Sequence, residues 1–161
     1  MTSEVQFKIG SKLPTFTLKD ANDNVITDAD LRGKISVIFF YPKDNTPGCT
    51  KEACDFRDHI DQFLDKGISL YGVSPDNATS HQKFIKKHSL NYTLLVDEDR
   101  SLANAFGVCK ERNLFGIKRL TIERSTFIVD KAGTIIWMEQ RVKVLGHVER
   151  ILSALQILVH P

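Results

Sequence analysis

The chain has 161 residues, of which 42% are hydrophobic, so it suits one compact domain over residues 1–161 and excludes a disordered segment or a two-domain arrangement. A formal net charge of +2, and five histidines that form no tract with cysteine at zinc-ligand spacing, argue against nucleic-acid binding and a metal centre. Three cysteines, an odd number, argue against a secreted disulfide framework and for a reducing compartment.

Met1 to Lys12 mixes Glu4, Lys8 and Lys12 among short apolar stretches and lacks the continuous apolar segment of a secretory signal. No stretch approaches the roughly 18 apolar residues of a membrane span, so a soluble, cytoplasmic protein is expected. Phe16 to Leu18 and Val25 to Thr27 flank the polar turn Asp20 to Asn24, which predicts an N-terminal hairpin. Asp28 to Leu31 adds a short helical turn. Ile35 to Tyr41 is apolar and β-branched apart from one Ser, the pattern of a strand buried on both faces. From Cys49 onward, Ala53, Phe56, Ile60, Phe63 and Leu64 recur at helical spacing, predicting one helix that stops at Gly67.

Ile68 to Val73 predicts the next strand, ending at Ser74-Pro75-Asp76. Phe84, Ile85 and His88 then mark a helix running to about Leu90. Tyr92 to Val96 is a short strand, and Asp99 to Phe106 a short helix ended by Gly107. Val108 to Glu123 reads as charged and irregular, with Leu120 to Ile122 able to pair in the sheet. Ser125 to Val129 and Thr134 to Met138 enclose the hairpin signal Asp130-Lys131-Ala132-Gly133, and Val148, Ile151, Leu152, Leu155 and Leu158 describe a closing amphipathic helix. This order predicts an α/β fold of three layers, with a central mixed sheet, parallel early and antiparallel late, flanked by helices: the thioredoxin-like order.

Within that order one position stands out. The strand ending at Tyr41 hands over through a turn to a helix that starts beside Cys49. A helix N-terminus carries partial positive charge and unpaired N–H groups, which favour thiolate over thiol and lower a cysteine pKa. Redox chemistry at Cys49 is the expectation. A buried, inert thiol is the bland alternative, and Thr46-Pro47-Gly48, a helix-start signature, argues against it.

Pro42, Thr46 and Cys49 fit the pattern P-x-x-x-T-x-x-C, and the chain thereby resembles the peroxiredoxins. The run Thr46-Pro47-Gly48-Cys49-Thr50-Lys51-Glu52-Ala53-Cys54 is similar to the bacterioferritin-comigratory, or Q, subfamily. So are Arg124-Ser125-Thr126-Phe127-Ile128-Val129-Asp130 and Val142-Lys143-Val144-Leu145-Gly146-His147, so the resemblance spans nearly the whole chain. It implies reduction of hydrogen peroxide and alkyl hydroperoxides by a Cys49 thiolate, with Thr46 and the Cys49 N–H binding the peroxide oxygens. Arg124, held by Glu52, would stabilise the leaving oxygen, and Pro42 would shield the pocket from water. Cys54 is the implied resolving thiol, thioredoxin the implied reductant of the disulfide, and a monomer the implied state, with no metal, haem or flavin.

Residues five apart on a helix have Cα atoms some 8–9 Å from each other, whereas a disulfide tolerates only about 7 Å. A Cys49–Cys54 bond therefore requires local unfolding between Cys49 and Asp58. His59 does not complete a metal site, because positions 49, 54 and 59 point in three directions on a helix. Arg57, Asp55 and Asp58 read equally as site surroundings or as solvated charges. Cys109 reads as structural, and it departs from the subfamily, which often has Trp there. Lys110, Arg112, Lys118 and Arg119 read as a solvated loop or a place for a reductant to dock. A thioredoxin-type disulfide oxidoreductase is the rival enzyme, opposed by the four residues between Cys49 and Cys54 and by the absence of proline between Pro75 and Pro161. A redox-regulated holdase is the non-enzymatic rival.

Overall fold

The computed structural model describes residues 7–159. In chain order the first half holds β1 (Thr17–Asp20), β2 (Val25–Thr27), α1 (Asp28–Leu31), β3 (Ile35–Phe40), α2 (Pro47–Asp58), α3 (Ile60–Leu64) and β4 (Ile68–Ser74). The second half holds α4 (Ala78–His88), β5 (Thr93–Val96), α5 (Ser101–Ala105), β6 (Cys109–Leu114), β7 (Ile117–Ile122), β8 (Ser125–Val129), β9 (Ile135–Gln140) and α6 (His147–Val159).

The architecture follows from β3, which has no polar face to give to water. Val37 and Phe39 belong to one buried cluster, and Ile38 and Phe40 to another on the opposite side. Because side chains alternate along a strand, both faces of the sheet have to be covered. On the first face lie α2, α3, α4 and α6, through Phe56, Phe63, Phe84 and Ile151. On the second lie α1 and α5, through Leu31, Leu102 and the following Phe106, with Leu13 and Phe16 from the N-terminal segment. This is the three-layer α/β fold.

The seven strands run in the order β2-β1-β5-β4-β3-β8-β9. β3, β4 and β5 are parallel, while β8 and β9 continue the sheet antiparallel from β3. The N-terminal hairpin joins the same sheet, β1 lying antiparallel against β5. Gly72 in β4 is required by packing. A Cβ there would come within 2.7 Å of both Phe39 Cζ and Leu94 Cδ2. The Phe39 ring so accommodated carries the Phe56 ring of α2 stacked on it, centroids 4.3 Å apart.

Three expectations are corrected. The predicted helix from Cys49 to Gly67 is two helices, interrupted at His59, which sits at φ −108° and ψ 8°. The His59 ring donates through Nδ1 to the Asp55 carbonyl at 2.7 Å, taking the acceptor its own backbone N–H would use in an unbroken helix. That N–H turns instead to the Phe56 carbonyl. The stretch from Val108 to Glu123 is not irregular, and Leu120 to Ile122 do not pair in the main sheet. They belong to β7, which pairs antiparallel with β6 as a separate two-stranded arm. The helix predicted from Asp99 to Phe106 is shorter, beginning at Ser101, because the Asp97 carboxylate accepts from the N–H groups of Leu102 and Ala103. Among the described residues no helix is long and apolar enough to cross a membrane.

Candidate active site

The loop between β3 and α2 leaves the carboxyl end of a central strand, where open α/β sheets place their chemistry. It is tied down by a buried carboxylate that sequence reasoning missed. Asp44 accepts from the Tyr41 hydroxyl at 2.6 Å and from Ser80 Oγ at 2.8 Å, and its Oδ2 lies 2.7 Å from His81 Nδ1. Its own N–H donates to Asp76 Oδ2 at 2.8 Å. Burial, reinforced by the Asp44 charge, pushes the Tyr41 phenol well above its ordinary pKa, so it stays a donor. The half-buried Pro42 and Thr46 are carried on this loop.

Thr46 is the N-cap of α2 and Pro47 its first residue, yet the Thr46 side chain does not cap the helix. Its hydroxyl donates instead to the Lys43 carbonyl at 2.9 Å. The first helical bond runs from Thr50 N–H to the Thr46 carbonyl. The helix thus supplies no partner for the N–H groups of Gly48 and Cys49. With its proton committed, the Thr46 oxygen can still accept. An acceptor and two helix-terminal N–H groups thus lie within the four residues from Thr46 to Cys49.

The sheet register brings the cation. Phe40 pairs with Ser125 across β3 and β8, which sets the preceding residue, Arg124, at the strand end from which the loop emerges. Arg124 Nη2 donates to Cys49 Sγ at 3.1 Å, and Nη1 donates to Glu52 Oε1 at 2.6 Å. Gly48 makes room, since a Cβ there would lie 3.3 Å from Nη2. Burial works to lower the Arg124 pKa, but the charges of Glu52 and Cys49 outweigh it and raise it above the ordinary arginine value. The guanidinium is a permanent charge against the sulfur.

The Glu52 side chain is fully buried, and a buried carboxylate needs partners on both oxygens. Its Oε2 lies 3.0 Å from Nδ1 of the buried His147, a close contact too poorly aligned for a good hydrogen bond. His147 Nε2 reaches Thr126 Oγ1 at 3.0 Å. Three elements or their flanks thus share one chain of contacts: Cys49 and Glu52 on α2, Arg124 before β8 and Thr126 within it, and His147 at the start of α6. His147 was not among the sequence candidates. Its signals were the Gly146-His147 step at the head of an amphipathic helix and its place at the end of the subfamily-like segment Val142 to His147.

Cys54 sits apart from this group. It is half-buried, on the same uninterrupted helix as Cys49, and all three cysteines are free thiols. The helix around it is pinned to the body by two bonds. The Tyr92 hydroxyl donates to the Ala53 carbonyl at 2.8 Å, and Arg57 Nη1 to the His88 carbonyl at 2.6 Å. Burial, with the Glu52 and Cys54 charges adding to it, lifts the Tyr92 pKa well above the ordinary range, so this donor also persists. Cys109 begins the β6–β7 arm, away from both. A surface groove of about 690 Å³ lies between β9 and α6, lined by residues that include Ile136, Trp137, Ala154 and Ile157 and no cysteine.

Comparison with known proteins places the chain among relatives of one family. The AhpC/TSA family matches residues 9–138. Peroxiredoxin Bcp of Bacillus subtilis is 46% identical over 149 residues, covering 92% of this chain and 95% of that protein. The putative peroxiredoxin bcp of Coxiella burnetii is 42% identical over 151 residues, covering 94% and 100%. Among solved structures, Xanthomonas campestris peroxiredoxin Q superposes with a TM-score of 0.86 at 38% identity, over 89% of this chain and 90% of that one. A cysteine-to-serine variant of Xylella fastidiosa PrxQ gives 0.90 at 33% identity, over 96% and 98%. A further Xanthomonas campestris structure, of bacterioferritin comigratory protein, is described in connection with alkyl peroxide reduction.

Proposed function

The chain belongs to the AhpC/TSA family as a peroxiredoxin of the Bcp or Q kind, a thiol peroxidase, and from that premise we propose that Cys49 is the peroxidatic thiol, Cys54 the resolving thiol and a thioredoxin the reductant. The observation that carries the reading is the divided guanidinium of Arg124, one nitrogen on Cys49 Sγ and the other on the buried Glu52.

The Cys49 thiolate attacks one oxygen of the peroxide in line with the O–O bond. The sulfur gives up an electron pair, the O–O bond breaks, and Arg124 and the Cys49 N–H meet the charge growing on the oxygens. The leaving oxygen takes a proton and departs as water or an alcohol, and Cys49 is left as a sulfenic acid. Thr46 accepts a hydrogen bond from a peroxide hydroxyl, and Pro42 keeps water from the loop. Hydrogen peroxide and alkyl hydroperoxides are the substrates, the latter favoured by the likeness to the Xanthomonas protein.

The Cys54 thiolate then attacks the Cys49 sulfur and expels hydroxide, which takes a proton from solvent to leave as water, closing a disulfide within one chain. That bond needs α2 to unwind between Cys49 and Asp58, by the helix geometry given above. Resolution inside one chain supports a monomer of one domain, and three free cysteines support work in a reducing, cytoplasmic setting.

The test is to treat the fully reduced protein with one equivalent of hydrogen peroxide, then take the intact mass and map the linkage by digestion. Rapid loss of two hydrogens with a Cys49–Cys54 link is expected. A link to Cys109, or slow oxidation, would overturn the assignment.

A further inference from the structure

The β6–β7 arm breaks the rules that a hairpin follows for its own stability. From Lys110 to Leu120 every side chain that is described is exposed, so neither face rests on the body, and two strands alone are marginal in water. Phe115 occupies its turn in the left-handed region at φ 53° and is fully exposed, a conformation that strains a bulky residue. Arg112 pairs directly with Arg119 across the register, and like charges directly opposite destabilise a sheet. Among the described residues neither arginine has an ion-pair partner. The one acidic residue of the arm, Glu111, lies 3.9 Å from Lys118. Such violations in one element are expected where function overrides stability.

The arm joins the body next to the segment that carries the cation of the site. Its base is closed by the Glu123 N–H donating to the Val108 carbonyl at 2.8 Å, and the next residue is Arg124. Lys110, Glu111 and Arg112 share a polar cleft of about 620 Å³ with Glu123, Gln140 and Arg141. By strand alternation, Lys110, Arg112, Ile117 and Arg119 lie on one face, with Phe115 at the tip.

We propose that this arm is the docking surface for the protein dithiol that reduces the enzyme, a partner whose surface around its cysteines is acidic. The proposal rests on the reading that a thioredoxin-type protein closes the cycle. Lys110, Arg112 and Arg119 take the partner's carboxylates, relieving the repulsion built into the register, and Phe115 and Ile117 take its apolar rim. One partner thiolate attacks a sulfur of the Cys49–Cys54 disulfide, giving a mixed disulfide and freeing one thiolate. The partner's second thiol then displaces the other cysteine. Two electrons pass to the enzyme, Cys49 and Cys54 regain their protons, and the partner leaves as its disulfide. Nucleic acid is the weaker occupant, since the chain carries a net charge of only +2.

The experiment follows reduction of the full-length disulfide form by an acidic thioredoxin and by dithiothreitol, at low and high salt, in wild type, in Arg119→Glu and in the double variant Arg112→Glu/Arg119→Glu. Arg119→Glu alone sets opposite charges across the register and firms the arm, so a loss of docking in that variant is not a loss of the arm. The thioredoxin rate constant should fall about tenfold in the double variant and lose its salt dependence, with the dithiothreitol rate and the peroxide step unchanged. A thioredoxin rate equal to wild type would overturn the proposal, as would an equal fall with dithiothreitol. So would binding of the arm to anionic vesicles or an oligonucleotide with the thioredoxin rate untouched. A wild-type disulfide that dithiothreitol reduces and thioredoxin does not would sink the reductant reading and this proposal together, whereas indifferent variants of a thioredoxin-reducible protein would sink this proposal alone.

Discussion

The two cysteines of α2 lie five residues apart on one helix and inhabit opposite regimes. Cys49 is 2% exposed and faces an arginine delivered from a different strand, itself held by a fully buried glutamate. Cys54 is half-buried, and its surroundings hold the helix backbone rather than the thiol. One end of the helix is built to keep reacting atoms in place. In the proposed cycle the other has to be released. A thiol that must meet peroxide in a set geometry gains from preorganisation, whereas a thiol that must travel to its partner gains from weak tethers.

Exchange of the cysteines should break this contrast most cleanly. Cys49→Ser is expected to abolish peroxide reduction entirely, measured as peroxide consumption. Cys54→Ser should keep the first oxidation at its full rate, then stall with a sulfenic acid that a dimedone-type trap captures and mass spectrometry reads. Normal thioredoxin-linked turnover in Cys54→Ser would end its role as resolver. Arg124→Ala should lower kcat/KM for peroxide by roughly 10²–10³, the usual cost of losing one donor to a developing charge. It should also cost about 3 kcal/mol in denaturant unfolding, because it leaves the buried Glu52 without its cation. Retained peroxide kinetics in a folded Arg124→Ala would contradict the role given to the guanidinium.

The smallest effect sharpens the comparison. Tyr92→Phe removes one hydrogen bond from the releasable end, worth about 0.5–1.5 kcal/mol. Disulfide closure after peroxide addition should then speed up a few-fold in stopped-flow fluorescence, with the peroxide step unchanged. Slower closure would mean that Tyr92 guides the helix rather than restraining it.

Much of this was legible in residue order. β3 announced itself because a strand buried on both faces has to be continuously apolar, and α2 because Thr46-Pro47-Gly48 is start chemistry. Arg124 was out of reach of periodicity, lying 75 residues from Cys49. Resemblance suggested it, and the Phe40–Ser125 register explains how it arrives. His147 and Asp44 escaped because a buried polar group is revealed by its partners, and those come from other elements. The break at His59 was invisible because Phe56, Ile60 and Phe63 keep helical spacing across it. The arm was missed because both its faces are wet, so no apolar alternation marks its strands. The positive φ values of Phe115 and Gly116, 53° and 78°, are what its turn needed.

In the proposed cycle Phe56 would give the site a clock. Its ring is fully buried and stacked on Phe39, and in the proposed cycle an unwinding that runs to Asp58 lifts it out of the core. Each oxidation would then open a ring-sized void under the helix, at a cost on the scale of a large-to-small core change, about 3–5 kcal/mol before any relaxation. That cost would set how long the sulfenic acid waits for Cys54. A second peroxide arriving within the wait carries Cys49 on to sulfinic acid, from which thiols do not recover it. In that cycle the tightness of one aromatic stack would set the peroxide concentration at which the enzyme is consumed by its own substrate.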